Sequence, residues 1–388
     1  MVGFKKRLEY TLKHNAVIQF IYKHIMSALF RCLGLFMKTD NDLVLLNSYG
    51  GRKYNDSPKV LFEAMLNDSR FSKFKFVWAF EEPEKFVISG AKSIKIDSLE
   101  YFITALKSRI WISSVNIERG LHFKKKNTFY INTWHGAGTK LIGNACNGRK
   151  DYNFSSVDMM LVQSDFEQKI FERDFLCNPN SIRVIGFPRN DELFHTTEET
   201  RIEMRKRFSI PEGRKVILYA PTWRDSKDGG LSYEFNPPIH LEKWEEELSD
   251  EYVLLIRMHA FTTRFEIVYD DFARDVSCYE DLNHILAITN VIVTDYSTIV
   301  YDSAIAGIPF ICFGFDYENY KNERGFYYDL NEVYPGGVLK TEEDVIARIK
   351  EVDKGADKEK YLSFKDTYIE AGGSATETVL NELANELL

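Results

Sequence analysis

The sequence predicts an α/β protein built from two Rossmann-like domains that face each other across a cleft. Three observations lead there. Short apolar runs alternate with helical patterns along most of the chain, which is the mark of βα units and parallel sheets. A length of 388 residues exceeds what one hydrophobic core usually organises. The unusual polar clusters fall just past the C-terminal ends of the apolar runs, where open α/β sheets bind their ligands.

The first element, residues 1–38, differs from the rest. Lys5, Lys6, Arg7, Lys13, Lys23, Arg31 and Lys38 are interleaved with Phe4, Leu8, Leu12, Ile18, Ile21, Ile25, Leu29, Leu33 and Phe36, the apolar set recurring at helical spacing. With acids scarce, this reads as a basic amphipathic helix suited to the interface of an anionic membrane. A helix packed on the protein's own core is the alternative. The run Asp40-Asn41-Asp42 that follows reads as a turn.

Candidate strands of the first domain, residues 39–200, are 43–46, 74–80, 110–112, 129–131, 159–162 and 184–185. The charged stretch 198–214 is the expected connection. The second domain, residues 201–388, offers strands at 216–219, 253–256, 291–293 and 309–313. No internal repeat or low-complexity tract is present.

Bulk properties narrow the function. A net charge of −8 argues against a general nucleic-acid binder, which needs a basic excess to neutralise phosphates. Cys32, Cys146, Cys177, Cys278 and Cys312 lie far apart without zinc-site spacing, as expected in a reducing cytosol. No run approaches the roughly 20 apolar residues of a membrane span, and the N-terminus lacks a cleavable h-region. Walker A, GxGxxG, HExxH and GxSxG patterns are missing, which disfavours P-loop kinases, dinucleotide oxidoreductases, zincins and serine hydrolases.

The polar clusters carry the chemistry. After 129–131 come Trp134-His135-Gly136-Ala137-Gly138-Thr139-Lys140. His135 sits on a loop with a reference pKa near neutrality and so suits a general base. Gly136 and Gly138 allow close backbone approach, and Lys140 suits an anion. After 291–293, Thr294-Asp295-Tyr296-Ser297-Thr298 opens a helix that stops at Gly307. Ser297 or Thr298 either caps that helix or, with its free N–H groups, binds a phosphate. His259, two residues after Arg257, can donate to a phosphoryl group, and the Arg324 guanidinium suits bidentate phosphate recognition. A structural histidine and a surface salt bridge are the respective alternatives.

Taken in order, these clusters resemble the CDP-glycerol glycerophosphotransferase family of teichoic-acid and capsule synthesis, from about Asn47 to Gly337. The resemblance rests on Tyr49-Gly50-Gly51-Arg52-Lys53-Tyr54-Asn55-Asp56-Ser57-Pro58-Lys59, Thr133-Trp134-His135-Gly136, Gly186-Phe187-Pro188-Arg189-Asn190-Asp191 and Tyr219-Ala220-Pro221-Thr222-Trp223-Arg224. It continues with Arg257-Met258-His259, Thr294-Asp295-Tyr296-Ser297-Thr298 and Arg324-Gly325-Phe326-Tyr327.

The resemblance implies a glycosyltransferase-B fold with the nucleotide on the C-terminal domain. It also implies transfer of glycerol-phosphate or ribitol-phosphate from a CDP-polyol to a hydroxyl of a polyprenyl-linked saccharide or polyol-phosphate chain, at the cytoplasmic face of the plasma membrane. His135 is then the expected base on the acceptor hydroxyl and His259 a second catalytic histidine near the pyrophosphate. Ser297, Thr298, Arg324 and Arg224 are expected to hold donor phosphates. Trp134, Gly136, Lys140, Arg189 and Asn190 are candidates for the acceptor side. Arginine, histidine and a helix N-terminus stabilise phosphoryl charge without a metal, so no obligatory cofactor is expected, with room for a divalent cation on the CDP moiety.

Two departures stand out. Ala137-Gly138-Thr139-Lys140 replaces the family's common Thr-Pro-Leu-Lys, which bears on acceptor or polyol preference, and Ala260 replaces the proline that commonly follows Arg-x-His. A nucleotide-sugar transferase on the same fold, and a non-catalytic membrane-bound scaffold, are the rival readings.

Overall fold

The computed structural model describes residues 16–136, 138–222, 239–258 and 271–387. Trp223, Arg224, His259 and the basic residues before position 16 therefore lie outside the described residues.

Among the described residues the first sheet holds β1 (Asp40–Asn47), β2 (Lys75–Phe80), β3 (Ala91–Lys95), β4 (Ser108–Ser113), β5 (Phe129–Asn132), β6 (Met159–Val162) and β7 (Ile182–Val184). Their spatial order is β3-β2-β1-β4-β5-β6-β7. The second sheet holds β8 (Lys215–Tyr219), β9 (Tyr252–Ile256), β10 (Ala273–Asp275), β11 (Val291–Thr294), β12 (Phe310–Phe313) and β13 (Val338–Leu339), in the order β10-β9-β8-β11-β12-β13. Every named pairing is parallel. Both sheets thus reverse winding direction once, between β1 and β4 and between β8 and β11, which opens the crevice typical of Rossmann-like domains.

The interior strands read as unbroken apolar runs because both of their faces are covered. Leu45, Trp111, Tyr130 and Met160 face one core, while Val44, Leu46, Ile110 and Ile131 face another on the opposite side of the same sheet. The second sheet repeats the arrangement with Val216, Leu218 and Ile292 against Ile217, Tyr219 and Val293.

Seven helices matter for the site and its surroundings: α1 (Ala16–Phe36), α2 (Asp56–Asn67), α3 (Leu99–Lys107), α4 (Asp165–Asp174), α5 (Ile299–Ala306), α6 (Tyr317–Arg324) and α7 (Ala375–Leu387). α1 packs through Phe30, with Met26 and Leu33 beside it, and Phe30 stacks on Phe102 of α3 at 4.4 Å. Its other flank, including Val17, Ile18, Phe20, Ile21, Ile25 and Leu29, is exposed. No described helix is long and apolar enough to cross a membrane.

α7 returns the chain to the first lobe. Val379, Leu380 and Leu383 join the core beneath β1 and β4, Arg183 pairs with Glu382 at 2.9 Å, and the Asp191 carboxylate accepts from the N–H groups of Ala375 and Thr376. The run Asp40-Asn41-Asp42 is not a turn. It opens β1, where Asp40 pairs in register with Ser108 and forms an ion pair with Lys75 at 3.0 Å, so sheet pairing overrides local turn preference.

Candidate active site

A cleft of about 740 Å³ opens between the lobes, and its walls come from the C-terminal ends of strands in both sheets. Tyr49 follows β1, His135 follows β5, Arg189 follows β7, Pro221 follows β8, Arg257 follows β9, and Ser297 and Thr298 follow β11. The two reversal points therefore face each other, with the histidine on one wall and the start of α5 on the other.

His135 is fixed from below. Its Nδ1 lies 2.6 Å from the Ser114 carbonyl oxygen, an acceptor, so Nδ1 carries the proton and Nε2 is left as the basic atom. Ser114 is itself held by the Tyr49 N–H, which donates to its hydroxyl at 3.1 Å, and the Tyr49 ring stands 5.2 Å from the imidazole. Burial holds the imidazole's pKa below its ordinary value; the Ser114 bond and the nearby Asp56 charge oppose that, and Arg189 reinforces it. The result is a neutral, oriented base in the physiological range.

The backbone around this histidine is strained. Tyr49, Asp56 and Trp134 adopt left-handed φ values of 47°, 63° and 49°, which non-glycine residues rarely accept without a local reason. For Trp134 the reason is an anchor: its ring is buried against Phe154, Phe171 and Phe175, and its N–H donates to Asn132 Oδ1 at 2.9 Å. Trp134 thus holds the loop from the core.

The opposite wall begins with α5. The Ser297 hydroxyl accepts from the Ile299 N–H at 3.3 Å, whereas Thr298 occupies the cap position without a side-chain capping bond. A Cβ built on Gly136 would lie 3.1 Å from Thr298 Oγ1, so the residue after His135 abuts the start of this helix and a side chain there would press on Thr298. Arg257 lines the same cleft and donates to the Val276 carbonyl at 3.3 Å. Lys53 approaches from the first lobe; desolvation and then the like charge of Arg257 hold its ammonium below the ordinary value, with Glu280 opposing. Positive charge thus enters the cleft from both lobes.

The remaining candidates divide. Arg189 lines the cleft and forms a bidentate pair with Asp302 of α5, at 2.9 and 3.2 Å, while Asn190 Nδ2 donates to the same carboxylate at 2.9 Å. Both residues join the lobes. Gly138 is wedged beside Ile170 and Tyr327. Lys140 forms an isolated antiparallel bridge with Phe326, flanked by Leu141 N–H to Gly325 O and Tyr327 N–H to Thr139 O, each 3.1 Å. Arg324, exposed at the end of α6, precedes that bridge and is not among the residues lining the cleft.

Sequence reasoning had assigned no role to Asp56, Ser114 or Asp302. Asp56 lies within the Tyr49–Lys59 segment with nothing to set it apart; Ser114 meets His135 through its backbone carbonyl, and Asp302 looks like any polar residue of a helix. Glu192, Asp281 and His284 each bring one ligand atom within 4.8 Å of the others, but His284 is already engaged by the Tyr279 hydroxyl at 2.8 Å.

A family model described as CDP-Glycerol:Poly(glycerophosphate) glycerophosphotransferase matches residues 29–385. The teichoic acid glycerol-phosphate transferase of Staphylococcus aureus is 30% identical over 87% of this chain and 90% of its own length. The teichoic acid poly(glycerol phosphate) polymerase of Staphylococcus epidermidis is also 30% identical, over 88% of this chain, and the chain spans about 50% of that relative's length. The solved wall teichoic acid polymerase TagF superposes with a TM-score of 0.82 at 28% identity, covering 98% of each chain. A UDP-GlcNAc 2-epimerase from Neisseria meningitidis shares the fold at a TM-score of 0.51 and 10% identity, over 88% of this chain and 99% of its own.

Proposed function

Since this chain belongs to the CDP-glycerol:poly(glycerophosphate) glycerophosphotransferase family, we propose that it transfers glycerol-phosphate or ribitol-phosphate from a CDP-polyol to an acceptor hydroxyl, releasing CMP, in teichoic acid synthesis. The observation that carries this reading is the placement of His135, neutral and with Nε2 free of the Ser114 bond, across the cleft from the start of α5. His135 takes the proton from the acceptor hydroxyl as its oxygen attacks the β-phosphorus of the donor. The bond from that phosphorus to the bridging oxygen breaks, and CMP leaves with the electron pair. Ser297, Thr298 and the positive end of the α5 dipole hold the donor phosphates, aided by Arg257 and Lys53, which spread charge on the phosphoryl oxygens. His259 and Arg224 are assigned their expected roles at the pyrophosphate, whereas Arg324, which stands outside the cleft lining, is given none there. The acceptor is a polyprenyl-linked saccharide or a polyol-phosphate chain. No obligatory ion is required, and EDTA tests that point.

The chain works at the cytoplasmic face of the membrane as a peripheral protein. Support comes from the exposed apolar flank of α1, which lies opposite the Phe30 contact with the core.

The deciding experiment is CMP release from CDP-glycerol and CDP-ribitol, each with a prenyl-linked disaccharide or a short polyol-phosphate primer, for the parent and His135→Ala. Release that needs both acceptor and His135 is the expected result. Folded protein that releases no CMP in any combination but turns over a nucleotide sugar would replace this reading with the sugar-transferase one.

A further inference from the structure

Asp302 poses an electrostatic problem at the donor site. It lies in the first turn of α5, its side chain is 5% exposed, and it lines the same cleft as Ser297 and Thr298. A carboxylate there favours the helix dipole. It also sets a negative charge beside the place assigned to a pyrophosphate, in surroundings that screen it poorly.

The first lobe supplies the counter-charge. Arg189 Nη2 donates to Asp302 Oδ1 at 2.9 Å and Nη1 to Oδ2 at 3.2 Å, a fork that satisfies both carboxylate oxygens. The guanidinium is in turn held in place. Its Nε stands 3.7 Å from Asp56 Oδ1, it lies over the Phe187 ring, and its backbone carbonyl accepts from Asn283 Nδ2 at 2.6 Å. Asn190 adds a neutral bond to the same carboxylate at 2.9 Å.

We propose that Arg189 is a positioning residue that neutralises Asp302 across the lobe junction and so keeps the start of α5 open to the donor's phosphates. The proposal rests on the donor-site assignment made above and adds to it a rule of charge: donor affinity follows the net charge of the 189–302 pair. Arg189 acts through Asp302 and not by contact with the donor.

Three variants of the full chain test this, read as donor KM and kcat for CMP release with acceptor saturating. Arg189→Ala leaves the pair at −1 and raises donor KM by about tenfold or more, with kcat within about threefold of the parent. Asp302→Asn leaves it at +1 and lowers donor KM by about threefold. The double variant is neutral and returns donor KM to within about threefold of the parent, a rescue that loss of a merely structural contact would not give.

A double variant as weak as Arg189→Ala would mean that the arginine touches the donor, and would overturn the proposal. So would a KM for Arg189→Ala equal to the parent's, or an increase with Asp302→Asn. Should Arg189→Ala fail to fold, Asp302→Asn and the double variant still decide between these outcomes. Absence of His135-dependent turnover in the parent would instead remove the donor reading itself.

Discussion

Replacing His135 by alanine removes the imidazole and leaves the wall proposed to hold the donor untouched, so its effect can be worked out in advance. Nδ1 is committed to the Ser114 carbonyl at 2.6 Å, which leaves Nε2 as the proton acceptor. Burial keeps the pKa below the ordinary value, so at pH 7.5 at least about nine-tenths of the molecules hold the base in its working form. A positioned base contributes about 10²–10⁴-fold, or roughly 3–5 kcal/mol of barrier. Turnover of CDP-polyol to CMP should fall by that factor. Donor Kd, measured by calorimetry without acceptor, should change less than about threefold, because the groups proposed to hold the phosphates do not include the imidazole. In the parent, kcat/KM should decline on the acid side with a midpoint below the ordinary histidine value, as protonation of Nε2 removes the base, and that limb should vanish from the residual activity of the variant. Turnover within tenfold of the parent, or a donor Kd weakened in step with turnover, would refute the assignment.

Gly138→Ala should cost about 1–3 kcal/mol in a thermal or urea melt, since a Cβ there overlaps Ile170 Cδ1 and comes within 3.1 Å of the Tyr327 ring; trimming Ile170 to valine should recover part of it. Glu167 is buried and its carboxyl is pushed up to about 7. The folded chain then binds a proton that the unfolded chain has already released, so stability is greatest below the carboxyl's unfolded pKa and falls as pH rises to about 7, by on the order of 3 kcal/mol. Urea midpoints between pH 5 and 8 should decline less in Glu167→Gln than in the parent. Phe20→Asp and Ile25→Asp should leave the melt within about 0.5 kcal/mol, both residues being exposed, yet weaken binding to anionic vesicles by about tenfold each; unchanged vesicle binding would discard the membrane role of α1.

The interior strands were legible because burial on two faces leaves a continuous apolar run, as in the β6 sequence Met159-Met160-Leu161-Val162. The unforeseen strands, β3, β10 and β13, are all sheet edges. Ala91–Lys95 is mostly polar, with Ile94 its one buried residue, and Val338–Leu339 is two residues long, so neither leaves a run to read. The helical period before residue 40 was visible, but which face would be covered was not. Phe30 meets the core through Phe102 and Phe123, partners supplied from some 70 residues or more further along the chain. His135 announced itself through its glycine-rich loop. Asp302 could not, since its meaning comes from Arg189, 113 positions away.

The division of labour across the cleft follows from these contacts. The orientation of His135 is settled within the first lobe, by Ser114, Tyr49 and the left-handed Trp134, so any change confined to the second lobe should leave the base itself intact. Its alignment with the donor depends on the junction. Two separate links meet there with different effects: the fork from Arg189 to Asp302 sets the charge beside α5, and the Lys140–Phe326 bridge ties the far end of the histidine loop to the second lobe. A transfer whose protein contribution is mainly alignment and charge gains from having the end of that loop tied to the second lobe. It follows that the altered Ala137-Gly138-Thr139-Lys140 segment acts on the site through this second link, because Thr139 and Lys140 are the residues that meet the Gly325-Phe326-Tyr327 strip. Substituting the family's common Thr-Pro-Leu-Lys there should change how well acceptor and donor align, and hence kcat, while leaving the pKa of His135 where Ser114 and burial set it.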